Sequence, residues 1–64
     1  MKFTERIKSV YLPYLGFVGS IRFSKKTNNF FYEPKNMGAV LCRSKTLENC
    51  IEQINNMYST CVIK

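Results

Sequence analysis

Cationic side chains that neutralise phosphate, interleaved with aromatic rings that stack on bases, are the chemistry this chain offers most clearly. Nine of its ten Lys and Arg residues lie between Lys2 and Lys45, where Glu5 and Glu33 are the only acids, giving that stretch a formal +7. The segment from Thr46 to Tyr58 carries Glu48 and Glu52 and no base, and Lys64 adds one positive charge at the end. A basic surface joined to an acidic helix points to a polyanion partner. Arg22, Lys25, Lys26, Lys35, Arg43 and Lys45 are the candidates for holding phosphates, with Asn28 and Asn29 beside the turn lysines. Arg6 and Lys8 extend the patch if the N-terminus folds back on it. Phe31 or Tyr32 is expected to supply stacking. The competing explanation is that exposed lysines keep a small protein with a net charge of +6 soluble.

Other chemistries are poorly supplied. The chain has no histidine, and so lacks the commonest general base and metal ligand. Glu48 and Glu52 share a helix face at i, i+4, but that face is expected to be solvated. The three glycines, Gly16, Gly19 and Gly38, form no phosphate loop. No catalytic residue, metal or cofactor is assigned, and the chain is read as a non-enzyme. Of the three cysteines, Cys50 falls on an apolar helical stripe. Cys42 lies next to Arg43 and near Lys45, cations that can activate a thiol, although a small buried hydrophobe is the simpler reading. An odd cysteine count without a secretory leader points to reduced thiols in the cytoplasm.

Sixty-four residues make a single small domain, 1–64, that buries little surface as a monomer. With disulfides and metals discounted, self-association as a homodimer is the expected supplement. No apolar run approaches the roughly 18 residues that span a bilayer. An apolar content of 45% with nine aromatic residues argues against disorder.

The elements that must position these residues follow from periodicity. Leu47, Cys50, Ile51, Ile54, Met57 and Tyr58 form one stripe of a helix over 47–58, with Thr46 as N-cap and Glu48 in the first turn. Alternation predicts a strand from Phe17 to Phe23. A polar turn over 24–29 leads to a second strand, Phe30 to Glu33. A further turn, 34–38, precedes a third strand, Ala39 to Arg43. Phe3, Ile7, Val10 and Tyr11 have helical spacing, and Pro13 would stop a short helix there; an edge strand starting near Val10 is the alternative. Cys61 to Ile63 offers a final strand. The fold class expected is α+β: a three- or four-stranded antiparallel sheet, about 17–43, packed by one C-terminal amphipathic helix. Phe30-Phe31-Tyr32 must send rings to both faces, so either Phe31, or Phe30 and Tyr32, looks away from the helix.

Ile21-Arg22-Phe23-Ser24-Lys25-Lys26-Thr27-Asn28, with Phe30 and Ser44-Lys45-Thr46-Leu47-Glu48, resembles the three-strand-plus-helix DNA-binding domain of the AP2/integrase-arm type over residues 19–58. Phe30 stands where that family usually has Trp. Glu33 replaces a base, and the Leu-Gly pair of the third strand is missing. The resemblance implies a sheet lying in the major groove, with Arg22, Lys25, Lys26 and Arg43 in contact.

The expected function is therefore that of a small, regulatory, basic nucleic-acid-binding protein, for RNA or DNA. RNA is as plausible as DNA, because open aromatic sheets suit single strands. The second expectation is a protein that binds and blocks another protein, as small phage or mobile-element inhibitors and antitoxins do.

Overall fold

The computed structural model describes residues 3–36 and 38–64. Five strands and one helix follow in the order β1 (Thr4–Leu12), β2 (Gly16–Ser24), β3 (Asn29–Pro34), β4 (Leu41–Ser44), α1 (Leu47–Met57) and β5 (Val62–Ile63). The strands form one curled antiparallel sheet in the order β4-β3-β2-β1-β5. The sheet thus has five strands, not three or four, because the N-terminal stretch and the C-terminal tail both join it.

The N-terminal stretch is the main correction. It is a nine-residue strand, not a short helix, and it lies between β2 and β5 rather than at an edge. Two irregularities disguise it. Arg6 and Lys8 pair with the adjacent residues Arg22 and Ile21, so Ile7 is an extra residue in β1. Val10 and Tyr11 pair with Gly19 and Phe17, so Val18 is an extra residue in β2. Bulges break the period of two, and the apolar spacing that remains imitates a helix. After Pro13 the chain turns through Gly16, whose φ of 74° lies in the left-handed region.

A third irregularity lies in β4. Phe30 pairs with Ser44 and Tyr32 with Leu41, so three steps on β4 oppose two on β3. Cys42 sits within that span at φ 55°. The strand accordingly runs to Ser44 and omits Ala39 and Val40.

The helix forms where the apolar stripe requires. Thr46 Oγ1 accepts a hydrogen bond from the Asn49 backbone N–H at 3.2 Å, and Glu48 occupies the first turn. Tyr58 has left the helical conformation, but its N–H still donates to the Ile54 carbonyl at 2.9 Å. The helix packs on β3 and β4. Cys50 and Ile54 are fully buried, whereas Met57, on the same stripe, stays exposed.

Val10, Ile21, Tyr32, Cys50 and Ile54 form the fully buried core. Burying each large aliphatic side chain stabilises by roughly 1.5–3 kcal/mol. Tyr32 lies directly opposite Ile21 in the sheet. Its hydroxyl donates to the Val18 carbonyl at 3.2 Å or shares a hydrogen with the Tyr58 hydroxyl at 2.8 Å. The two rings meet edge to face at 6.1 Å. Burial, first, and then the Tyr58 hydroxyl push the Tyr32 phenol well above its ordinary range. The ring passes over Gly19, where an added Cβ would stand 2.6 Å from Cε1 and from the hydroxyl oxygen.

All three thiols are free. Burial, and then the nearby Cys42, push Cys50 up to about 11. Burial also raises Cys42, against the activation that neighbouring Arg43 had suggested.

Two outcomes follow. Gly19→Ala must displace the Tyr32 ring or the β3 backbone and should destabilise the fold by about 1–3 kcal/mol, read by chemical denaturation. Because Cys50 is held neutral when folded, its contribution is complete below the unfolded thiol pKa. It is lost as pH rises from about 9.0 toward about 11. Denaturation midpoints should fall across that window, and Cys50→Ala should flatten the fall.

Candidate nucleic-acid interface

The face covered by α1 decides which side chains are available for binding. Phe30, Tyr32, Phe23 and Ile21 share one face through the pairs Phe23↔Phe30 and Ile21↔Tyr32. Tyr32 and Ile21 are sealed in the core with the helix residues, and Phe30 packs against them. Tyr32 therefore leaves the set of stacking candidates: its ring has no exposed surface. Phe31 and Arg22 are cross-strand partners and point to the opposite face.

That opposite face carries a row of cations and an aromatic ring. Arg6 pairs with Arg22, and Arg22 with Phe31, across β1, β2 and β3. Two like charges directly opposite each other are unfavourable unless something neutralises them. Arg22 Nε and Nη2 both donate to Thr4 Oγ1 at 3.2 Å, which fixes the guanidinium near the end of the sheet. Arg6 lies 6.0 Å from the Phe17 ring centre, and Lys64 5.8 Å from that of Tyr11. Glu33 is the acid on this face, opposite Ser20 and two residues from Phe31.

A hollow of about 280 Å³ opens beside this row, with Thr4, Ser24, Asn29, Phe31 and Arg43 among its walls. Asn29 Oδ1 is buried there without a hydrogen-bond partner. The turn that joins β2 to β3 holds Lys25, Lys26 and Asn28, all exposed. Asn28 adopts φ 57°, and its N–H donates to the Ser24 carbonyl at 2.8 Å, so its immediate task is to close that turn. Lys45 follows Ser44, which pairs with Phe30, and so belongs to the same end of the sheet.

The structure thus gathers Arg22, Lys25, Lys26, Asn28, Phe31, Arg43 and Lys45 at one end. Lys35 stands apart. Its N–H donates to the Val18 carbonyl, and it borders a separate hollow with Leu15, Phe17 and Pro34 at the other end.

Sequence reasoning missed Thr4 and Ser24, since Thr4 was assigned to a helix and Ser24 to a turn, and took Asn29 only as a neighbour of the turn lysines. It also missed the tip of the β1–β2 hairpin. Tyr14 is 98% and Leu15 72% exposed, beside a groove of about 500 Å³ formed with Leu12, Met57 and Tyr58. Tyr14 and Leu15 between Pro13 and Gly16 were the available signal, because turn tips are usually polar.

Among the described residues, no group of three His, Cys, Asp or Glu side chains could hold a metal ion, and no helix is long and apolar enough to cross a membrane. Compared with known proteins, the chain matches no family model, no curated protein and no solved structure.

Proposed function

We propose that this is a cytoplasmic, non-catalytic nucleic-acid-binding protein that grips a phosphate backbone with the Arg22–Arg43 end of its open sheet face. The observation that carries this reading is that Arg22 lies opposite Phe31 and Arg43 lines the same hollow as its ring, with Lys25, Lys26 and Lys45 at the same end of the sheet. Cations gathered at one end of a face can contact a phosphate backbone, and the ring offers a stacking surface. An open face with a ring and a hollow favours single strands, whereas the AP2/integrase-arm resemblance implies a duplex lying on the same face.

Fluorescence anisotropy with labelled single-stranded RNA and duplex DNA, repeated over a range of salt, tests the reading. Log affinity should fall linearly with log salt. Lys25→Ala with Lys26→Ala should make the slope shallower by about 0.7 per phosphate contact removed on a single strand, and about 0.9 on a duplex. Absence of binding to either ligand at low salt contradicts the proposal.

A specific observation favours a second reading, a protein that docks on and blocks another protein. The Tyr14–Leu15 tip is uncharged and exposed, and aromatic residues are enriched at interface cores. On this reading Tyr14→Ser with Leu15→Ser leaves the salt-dependent binding intact and abolishes the biological effect of expressing the protein. Sedimentation of the same variant shows whether the tip also holds the expected homodimer together; a species that halves in mass places the dimer contact there.

A further inference from the structure

We infer that the open face carries a second phosphate-contact patch, Arg6 and Lys64 held over the rings of Phe17 and Tyr11, and that its ligand is an unpaired strand crossing the face from the Lys25–Lys26 turn to Lys64. This deepens the nucleic-acid reading and rests on it.

The patch can be traced contact by contact. Arg6 is the cross-strand partner of Arg22 and so shares the face opposite the helix. Its guanidinium carbon lies 6.0 Å from the centre of the Phe17 ring. Phe17 pairs with Tyr11, and the two rings meet edge to face at 5.9 Å. The Lys64 ammonium lies 5.8 Å from the centre of the Tyr11 ring. The Lys64 N–H donates to the Ser9 carbonyl at 2.8 Å, which ties the backbone of that lysine to β1. Arg22 on β2, Arg6 on β1 and Lys64 just after β5 therefore follow one another across a single face.

A cation held over a ring has already lost part of its conformational freedom, so meeting a phosphate costs it less ordering. The guanidinium keeps its in-plane N–H groups and the ammonium its three donors for that contact. Arg6 and Lys64 are both exposed. Ser9 and Ser20, opposite each other at the next outward positions, are short and raise no wall between the two cations. Glu33, the acid of this face, stands on β3, two strands from β1.

The width of the face selects the ligand. The AP2/integrase-arm resemblance lays three strands, here β2 to β4, in a major groove about 12 Å wide. In this sheet β1 and β5 extend the same face. From Arg43 on β4 to Lys64 beside β5 the contacts cover four strand spacings, roughly 19 Å. The nine-residue strands β1 and β2 run about 30 Å the other way. Neither dimension fits across the groove, so a duplex meets this face only in part. A flexible single strand bends from one cation to the next and leaves its bases unpaired beside Phe31.

The test is anisotropy over a range of salt with one labelled DNA strand of about 16 nucleotides, the upper end of single-strand site sizes, alone and annealed to its complement. The wild-type protein should bind the single strand about tenfold tighter than the duplex at the same salt, the gain from one base–ring stack that a duplex cannot make. Arg6→Ala with Lys64→Ala should make the single-strand salt slope shallower by about 1.4, at about 0.7 per phosphate contact. Lys64→Ala alone should account for about half of that, and it leaves the fold intact even if the Arg6 change does not. Lys35→Ala removes a charge away from this path and should leave the slope unchanged. A wild-type slope in the double variant, or a loss from Lys35→Ala as large as from Lys64→Ala, overturns the second patch and leaves the contacts of the Arg22–Arg43 end in place. Tighter binding of the duplex overturns the unpaired ligand. No binding of either form at low salt overturns the patch and the nucleic-acid reading together.

Discussion

The structure depends on the placement of one ring. Tyr32 lies over Gly19, opposite Ile21, with its hydroxyl between the Val18 carbonyl and Tyr58. This ties β2 and β3 to the residue that ends the helix. It also sets the polarity of the sheet. With Tyr32 and Phe30 under α1, the alternation of β3 requires Phe31 to look outward. A shift of β3 by one residue would exchange Phe31 for Tyr32 on the outer face, so the contact that builds the core also decides which ring lies beside Arg22.

Legibility in the sequence varied with how regular each element is. The helix was readable to within a residue because its stripe and Thr46 cap are local signals. β2 was readable because it alternates from Gly19 to Phe23, and β3 because its aromatic run lies between two turn clusters. β1 was not, because the extra residues Ile7 and Val18 break that period on both sides of its pairing. The end of β4 moved for a similar reason at Cys42. Whether Phe31 or Tyr32 faces outward could not be derived locally, since both rings suit a strand. That choice came from Gly19, thirteen positions before Tyr32 in the chain, where only the absence of a side chain leaves room.

The candidate site shows the same division. Its charged members stood out as a charge asymmetry, and most of them gather at one end. Its shape did not, because the hollow joins Thr4 on β1 with Asn29 on β3 and Arg43 on β4, residues brought together only by the sheet. Bulges matter here as well. They increase local twist, and the sheet that carries them is curled. A core of five fully buried side chains leaves little stability to spare.

The most direct test of the account is an amide chemical-shift titration of the isotope-labelled protein with single-stranded RNA. The account predicts shifts on Arg22, Lys25, Lys26, Asn29, Phe31 and Arg43, with Lys35 and the centre of α1 unmoved. Shifts confined to Tyr14, Leu15 and Met57, or no shifts at all, would contradict it.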